Sequence, residues 1–305
     1  MGSNITAYLV DCYRHEDISL IERGEGGSDE LARRARFMGH TIRRHARAGR
    51  LMELARREIL KEDGRGRDMP SGIVWWAGSL AGSRGRMGRI WWAPEGGLYL
   101  CVAIFPELTR KNRGLYTLAA GTAVAGVLRS WGVEARPRWI NDILVKDRKV
   151  AGILAESVWC PDAGQEYILI GMGVNVNIHR FPDHLPCASS LALETGCQWD
   201  IVSLGAHIIA RLSLEFAQLH KWEADSAGED PDGSPANPVV TSFRLMSDDV
   251  GRRVVYGHDV EMAPETEAVI MGLHDDGALL LAVDDNEVIR VNSGEIRYLS
   301  GDMIC

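Results

Sequence analysis

The sequence predicts an α+β protein in two parts, and three observations carry that prediction. Apolar runs of strand length alternate with helix-length stretches between residues 72 and 220, and the strands are joined mostly by hairpins and meanders. No strand–GxGxxG–helix unit and no Walker A sequence is present, so a dinucleotide-binding or P-loop architecture has no support. The acidic segment 223–239 (EADSAGEDPDGSPANPV) is rich in Pro, Gly and Ser and poor in apolar residues; it cannot bury enough surface to order itself and reads as a linker. The length of 305 residues agrees with about two domains. The expected division is 1–222, a linker at 223–240, and 241–305.

Taken in order, the first informative stretch is 31–70. It holds eleven Arg and one Lys against five acids, a local balance of +7 in a chain of net charge −8. Leu51, Leu54, Ala55 and Ile59 recur there at helical spacing, while Arg56, Arg57 and Lys61 fall mostly off that stripe. The segment reads as a basic helical insert. Its plainest account is a solvated helix face; a nucleic-acid patch and an anion-gathering rim are the alternatives. The runs 72–77 (GIVWWA) and 98–105 (LYLCVAIF) read as strands, the second apolar on both faces and suited to the centre of a sheet. Residues 115–130 are Ala-rich and helix-compatible. Residues 143–145 and 150–154 flank Lys146-Asp147-Arg148 as a hairpin, and 167–177 (YILIGMGVNVN) is a further strand. Ile201, Leu204, Ile208, Leu212, Phe216 and Leu219 keep helical spacing over about five turns. Beyond the linker, five short β-rich runs within about 50 residues, with an Asp276-Gly277 turn signal, predict a small SH3-like β-barrel.

Composition narrows the function classes. With 46% apolar and 25% charged residues the chain is neither collagenous nor disordered. Its longest nearly apolar stretch, 115–128, is broken by Thr117, Gly121 and Thr122 and falls short of the ~18 residues of a spanning helix. No membrane association is expected. The six cysteines form no C-x-x-C pair, and no basic-then-apolar leader opens the chain, so free thiols in a cytoplasmic setting are expected.

Two segments carry chemistry. In 82–89 (GSRGRMGR), Arg84, Arg86 and Arg89 interleave with glycines. Glycine permits close backbone approach, and arginine supplies forked donors for phosphate or carboxylate. A charged loop between two expected core strands (WWAGSLAG before, IWWAPEGGLYL after) lines a site more often than it hangs in solvent. In 138–156 (RWINDILVKDRKVAGILAE), Asn141 and Asp142 head one hairpin strand, while Lys149 and the small pair Ala151-Gly152 follow the turn. Neighbouring strands let Asp142 and Lys149 reach a common space. Spacing alone leaves open a turn-capping Asp142 and a solvated Lys149.

These segments resemble the biotin protein ligase family (biotin–[acetyl-CoA-carboxylase] ligases of the biotin/lipoate A/B protein ligase superfamily). RGRMGRIWWAPEGGLYL is similar to that family's GRGRRGR-x-W-x-S/A-P loop, and RWINDILVKDRKVAGILAE to its KWPND…GRKVAGIL-E segment. GMGVNVN (171–177) is similar to GIGINVN, Ala188-Ser189-Ser190-Leu191 to A-T/S-S-L, and DDGALLLAV with NSGEI to the C-terminal part. The resemblance covers roughly 72–220 and 245–300. It implies a catalytic domain like that of class II aminoacyl-tRNA synthetases, a mixed sheet with helices on one side. It also implies a two-step reaction: biotin's carboxylate and ATP form biotinyl-5′-AMP, and a lysine of a biotin carboxyl carrier protein then takes the biotin. ATP, Mg2+ and biotin are the implied small molecules, with Lys149, Arg84 and Asp142 catalytic and Asp142 a candidate Mg2+ ligand. Ser28, Leu80, Ser83, Gly85, Arg86, Arg89, Trp139, Asn141 and Gly152 are the further implied binding positions, and Trp75 a candidate pocket wall. A homodimer through the catalytic sheet is common in the family.

Departures cluster where the family recognises biotin. Its Ser-Thr-Asn, followed by Asp-Glu, is matched here by Gly26-Gly27-Ser28-Asp29-Glu30; its glutamine becomes Leu80, its first loop glycine Ser83, and the Lys and Pro of KWPND become Arg138 and Ile140. A ureido ring left without partners in a buried site binds poorly. The alternatives are therefore adenylation of another acid (lipoate or octanoate) and a non-catalytic binding or regulatory homologue. Only about 25 residues precede Gly26, too few for the winged helix of about 60 residues that some members carry, so DNA binding is not expected.

Overall fold

The computed structural model describes residues 2–22, 28–226, 235–284 and 287–299. At its centre lies a mixed seven-stranded sheet. Its strands in chain order are β1 (Ile42–His45), β2 (Ile73–Ala77), β3 (Gly97–Ile104), β4 (Ala135–Arg138), β5 (Asp142–Val145), β6 (Arg148–Cys160) and β7 (Gln165–Asn175), arranged across the sheet as β1-β2-β3-β7-β6-β5-β4. The pair β1–β2 is parallel and the remaining pairs are antiparallel.

Seven α-helices accompany it among the described residues: α1 (Gly2–Glu22), α2 (Ser28–Ala35), α3 (Leu51–Asp63), α4 (Leu115–Ser130), α5 (Leu191–Thr195), α6 (Ile201–Ser226) and α7 (Pro238–Met246). The unbroken apolar run of β3 is buried on both faces, as a central strand requires. Leu98, Leu100, Val102 and Ile104 join the core under α4 and α6, whereas Tyr99, Cys101 and Ala103 join a second core under α3. Helices therefore cover both faces of the sheet, not one side as the resemblance implied. The helical stripe of α6 is buried at Leu204, Ile208, Leu212, Phe216 and Leu219, and α1 and α2 pack along it.

The arginine-rich stretch differs from the expected helical insert. Leu51, Ala55 and Ile59 do bury one face of α3, but residues 42–45 form β1, the edge strand of the main sheet. Strand pairing overrides the charged composition because the arginines find partners: Arg43 pairs with Glu58, and the Arg44 guanidinium lies 4.7 Å from the Trp76 ring centroid.

The second sheet holds β8 (Arg253–Gly257), β9 (Thr266–Leu273), β10 (Leu279–Asp284), β11 (Glu287–Val291) and β12 (Glu295–Tyr298), in the order β11-β10-β9-β8-β12. The expected SH3-like barrel is not formed. All five strands appear, but among the described residues β11 and β12 remain the two edges and do not pair. The short β12 instead turns towards the main sheet, where Tyr298 meets Arg136 and Asp249. Length and turn signals reveal strands, but closure depends on what their edges meet.

Of the segment expected as a linker, residues 223–226 continue α6, 227–234 lie outside the described residues, and 238–240 open α7. Asn237 caps α7, its Oδ1 accepting from the amides of Val239 and Val240. Among the described residues no helix is long and apolar enough to cross a membrane. Cys12, Cys101, Cys160 and Cys197 are free thiols, whereas Cys187 is disulfide-bonded, against the expectation of free thiols throughout.

Candidate active site

The β5–β6 hairpin turns through Lys146 and Asp147, both with positive φ (47° and 63°), a tight turn whose twist suits an antiparallel pair. It sets Asp142 opposite Gly152, and across β4–β5 Asp142 faces Arg138. Lys149 Nζ lies 2.5 Å from Asp142 Oδ1, and Arg138 Nη2 donates to Oδ2 at 2.6 Å. Burial alone would raise the Asp142 pKa, but the Lys149 and Arg138 charges outweigh it and hold the carboxyl down at about 2. Asp142 is thus an anion at neutral pH and fixes two cations beside each other. The Lys149 backbone accepts from the Ser189 amide and donates to the Cys187 carbonyl, tying the Cys187–Ser190 segment to the same place.

The glycine–arginine loop approaches from across the sheet. The Gly85 amide donates to the Arg89 carbonyl at 2.8 Å and Arg84 Nη1 to the Gly88 carbonyl at 2.9 Å, so the loop folds back on itself. Arg86 Nη1 donates to the Gly294 carbonyl at 2.9 Å, and Arg89 reaches Glu295 at 3.0 and 2.7 Å and Asp259 at 2.5 Å. Burial opposes the Arg89 charge, yet its two carboxylate partners raise its pKa further. The second sheet therefore holds the loop against the main sheet.

Trp91 follows the loop and lies over two facing glycines. A Cβ on Gly152 would come 2.9 Å from Trp91 Cζ3, and one on Gly173 would come 2.7 Å from its Nε1. Only glycine at both positions lets the indole lie on the strands. Lys149 Nζ sits 5.3 Å from the Trp91 ring centroid.

Together these groups line a cavity of about 850 Å³, within the range of small-molecule sites. Leu80, Ser83, Arg84, Gly85, Arg86, Arg89, Trp139, Asn141, Asp142, Lys149 and Gly152 all line it. Trp139 is nearly fully buried, and its indole N–H donates to the Gly277 carbonyl at 3.0 Å, so it also ties the site to the second sheet. Ser28 is the first residue of α2, and its side chain lies outside the described residues. Trp75 is a core residue under α3, its indole N–H donating to Glu58 at 2.8 Å, and is no wall of the cavity.

Sequence reasoning missed several lining residues. Trp91 was marked only by its place directly after the loop, and Arg138 by its i,i+4 spacing to Asp142 across the turn. The helix whose start reaches the cavity is α3, preceded by Ala48-Gly49-Arg50, and Arg50, Leu51 and Met52 all line it. Among the described residues, four lining side chains carry a buried polar atom without a hydrogen-bond partner: Asp142 Oδ1, which has only the ionic contact to Lys149, and Arg50 Nε, Trp91 Nε1 and Asn175 Oδ1. Asp142 does not fit a metal ligand, because each of its oxygens is engaged by a cation. No cluster of three or more His, Cys, Asp or Glu suited to a metal occurs among the described residues.

Comparison with known proteins agrees with this arrangement. The model of the biotin/lipoate A/B protein ligase family matches residues 54–175, the stretch from α3 to the end of β7. The chain is 30% identical over 209 residues to the bifunctional ligase/repressor BirA of Escherichia coli K12, covering 66% of this chain and 59% of that one. To its Bacillus subtilis counterpart it is 34% identical over 145 residues, covering 46% of this chain and 44% of that one. The matched stretches thus span about half the length of these relatives. A Mycobacterium tuberculosis biotin–[acetyl-CoA-carboxylase] ligase is 28% identical over 251 residues, covering 79% of this chain and 84% of that one. The structure of Aquifex aeolicus biotin protein ligase in complex with biotin and ATP superposes with a TM-score of 0.68 at 20% identity, covering 85% of this chain and 98% of that one. The lysine hairpin, the glycine–arginine loop and the two-glycine floor, assembled around one cavity, all lie within the stretch that the biotin/lipoate A/B protein ligase family model matches.

Proposed function

We propose that this protein is an ATP-dependent biotin protein ligase. The observation that carries the reading is the Lys149–Asp142–Arg138 cluster facing the arginine loop across one cavity. Both substrates of an adenylation are anions, so the first step needs fixed cations where charge gathers. A carboxylate oxygen of the acid attacks the α-phosphorus of ATP, the bond to the β-phosphate bridge breaks, and pyrophosphate leaves. The amine of a carrier lysine then attacks the acyl carbon of the adenylate, AMP departs with the C–O electron pair, and the amine loses a proton.

In this reading Lys149 holds the acid's carboxylate and then the adenylate, with Asp142 positioning its ammonium. Arg84 and Arg86 gather phosphate, and Asn175 Oδ1, an unpaired acceptor, suits an amino donor of the nucleotide base. Ser83, Gly85, Asn141 and Gly152 shape the adenylate site. Magnesium would accompany the triphosphate and neutralise part of its charge; no residue of this chain is assigned to it. The protein partner is a biotin carboxyl carrier protein or domain; the name of the Mycobacterium tuberculosis relative gives acetyl-CoA carboxylase as its acceptor.

One observation favours a second acid. Leu80, in place of the family's glutamine, lines the cavity beside apolar Leu51 and Met52, which suits an octanoyl or lipoyl chain. Acid-dependent pyrophosphate release with biotin, lipoate and octanoate in parallel tests both readings. Release with biotin is expected; release with octanoate or lipoate alone would move the function to that acid, and silence with all three from folded protein would refute adenylation.

A further inference from the structure

We infer that Arg50 is a specificity-determining residue that reads a carbonyl acceptor at the end of the acid remote from its carboxylate. The inference rests on the adenylating function proposed above and adds the class of acid to it.

Arg50 directly precedes α3 and lines the cavity. One of its terminal nitrogens donates to Glu156, whose other oxygen accepts from Arg56 Nη2 at 2.9 Å. The guanidinium is held from behind by a carboxylate that is itself held. Its Nε–H is buried and has no partner. A buried donor on a charged group is costly to leave unpaired, and a ligand acceptor would relieve that cost. Glu156 has both oxygens occupied, so this end of the cavity is lined by the Arg50 guanidinium with no free carboxylate oxygen beside it.

The position fits the far end of a bound acid. On β7, Gly173 lies opposite Gly152, beside Lys149; Gly171 lies two residues further along, opposite Leu154. Two residues of strand span about 7 Å. There the channel closes under α3: a Cβ on Gly171 would come 2.6 Å from Met52 Sδ. An acid whose carboxylate is held at Lys149 runs past apolar Leu80 and Leu154 towards one charged donor. A plain alkyl acid would leave that donor unpaired. An acid ending in a carbonyl, as the ureido ring of biotin does, would pair it. The apolar lining and the single donor together account for how biotin is read without the polar set that the family usually carries.

The test uses the full chain and follows pyrophosphate release with biotin and with octanoate for the wild type, Arg50→Met and Glu156→Gln. Arg50→Met leaves Glu156 paired with Arg56, so no buried charge is stranded. It should raise KM for biotin about ten- to hundredfold with kcat little changed, and leave KM for ATP and for octanoate as they were. Glu156→Gln, which loosens Arg50 without removing it, should move KM for biotin the same way by less, and carries the test should Arg50→Met not fold. Biotin should also raise the thermal midpoint of the wild type more than that of either variant. An unchanged KM for biotin, or an equal rise for both acids, would overturn the inference while leaving adenylation standing. No acid-dependent release from the wild type would overturn the adenylating function itself, and this inference with it.

Discussion

At Asp142 burial and charge pull in opposite directions, and charge prevails. Its carboxyl is held at about 2, below its ordinary 3.8, so the ionised form is favoured by folding. The resulting stability is fully present above about pH 4 and is lost as the pH falls through about 2. Asp142→Asn should therefore lower stability at pH 7 by about 2 kcal/mol, and the gap to the wild type should close as the solution is acidified from about pH 4 towards pH 2. Denaturant unfolding across that range checks it; a gap independent of pH would mean that the ion pairs are not its source. Lys149→Ala should be mild for the fold, because Arg138 still pairs with Asp142. Its thermal midpoint should stay within a few degrees of the wild type; unfolding at room temperature would make Lys149 a structural residue.

Among the elements, the glycine–arginine loop is held by side chains from the second sheet. Arg89→Ala removes its contacts to Glu295 and Asp259. Those groups are partly exposed, so the ion pairs are weak, and amide exchange of residues 84–90 should quicken about three- to tenfold. Unchanged protection would show that the loop orders by itself. The hairpin and this loop were legible in the sequence because their information is local: Asp142, Lys149 and Gly152 sit within one turn-bounded stretch, as do Arg84, Arg86 and Arg89. What sequence reasoning missed is not local. Residues 42–45 read as part of a helical insert because strand pairing to β2 is invisible in IRRH, and the polar end of the cavity was sought near Ser28 because nothing in the chain announces that Arg50 faces it. Closure of the second sheet was misjudged for the same reason: five strand signals say nothing of whether β11 meets β12.

On the scale of the whole molecule, one apolar core runs from α4 and α6 through α7 to the second sheet, taking in Val254, Ile270, Leu281 and Ile296. Trp139 bonded to Gly277, and Arg136 bonded to Asp249 and Tyr298, add polar ties across the same boundary. The two sheets should therefore unfold together, giving a single calorimetric transition whose van't Hoff and calorimetric enthalpies agree; two resolved transitions would show that the second sheet is an independent unit. This continuity is also what brings Glu295 and the main-sheet hairpin to one cavity, where we propose that a carboxylic acid is activated with ATP through Lys149. The most direct measurement is biotin-dependent exchange of labelled pyrophosphate into ATP, in the wild type beside Lys149→Ala. Exchange by the wild type, reduced about a thousandfold in the variant, is the predicted result. Equal exchange by both would contradict it, and would place the chemistry elsewhere than at the Lys149–Asp142 pair.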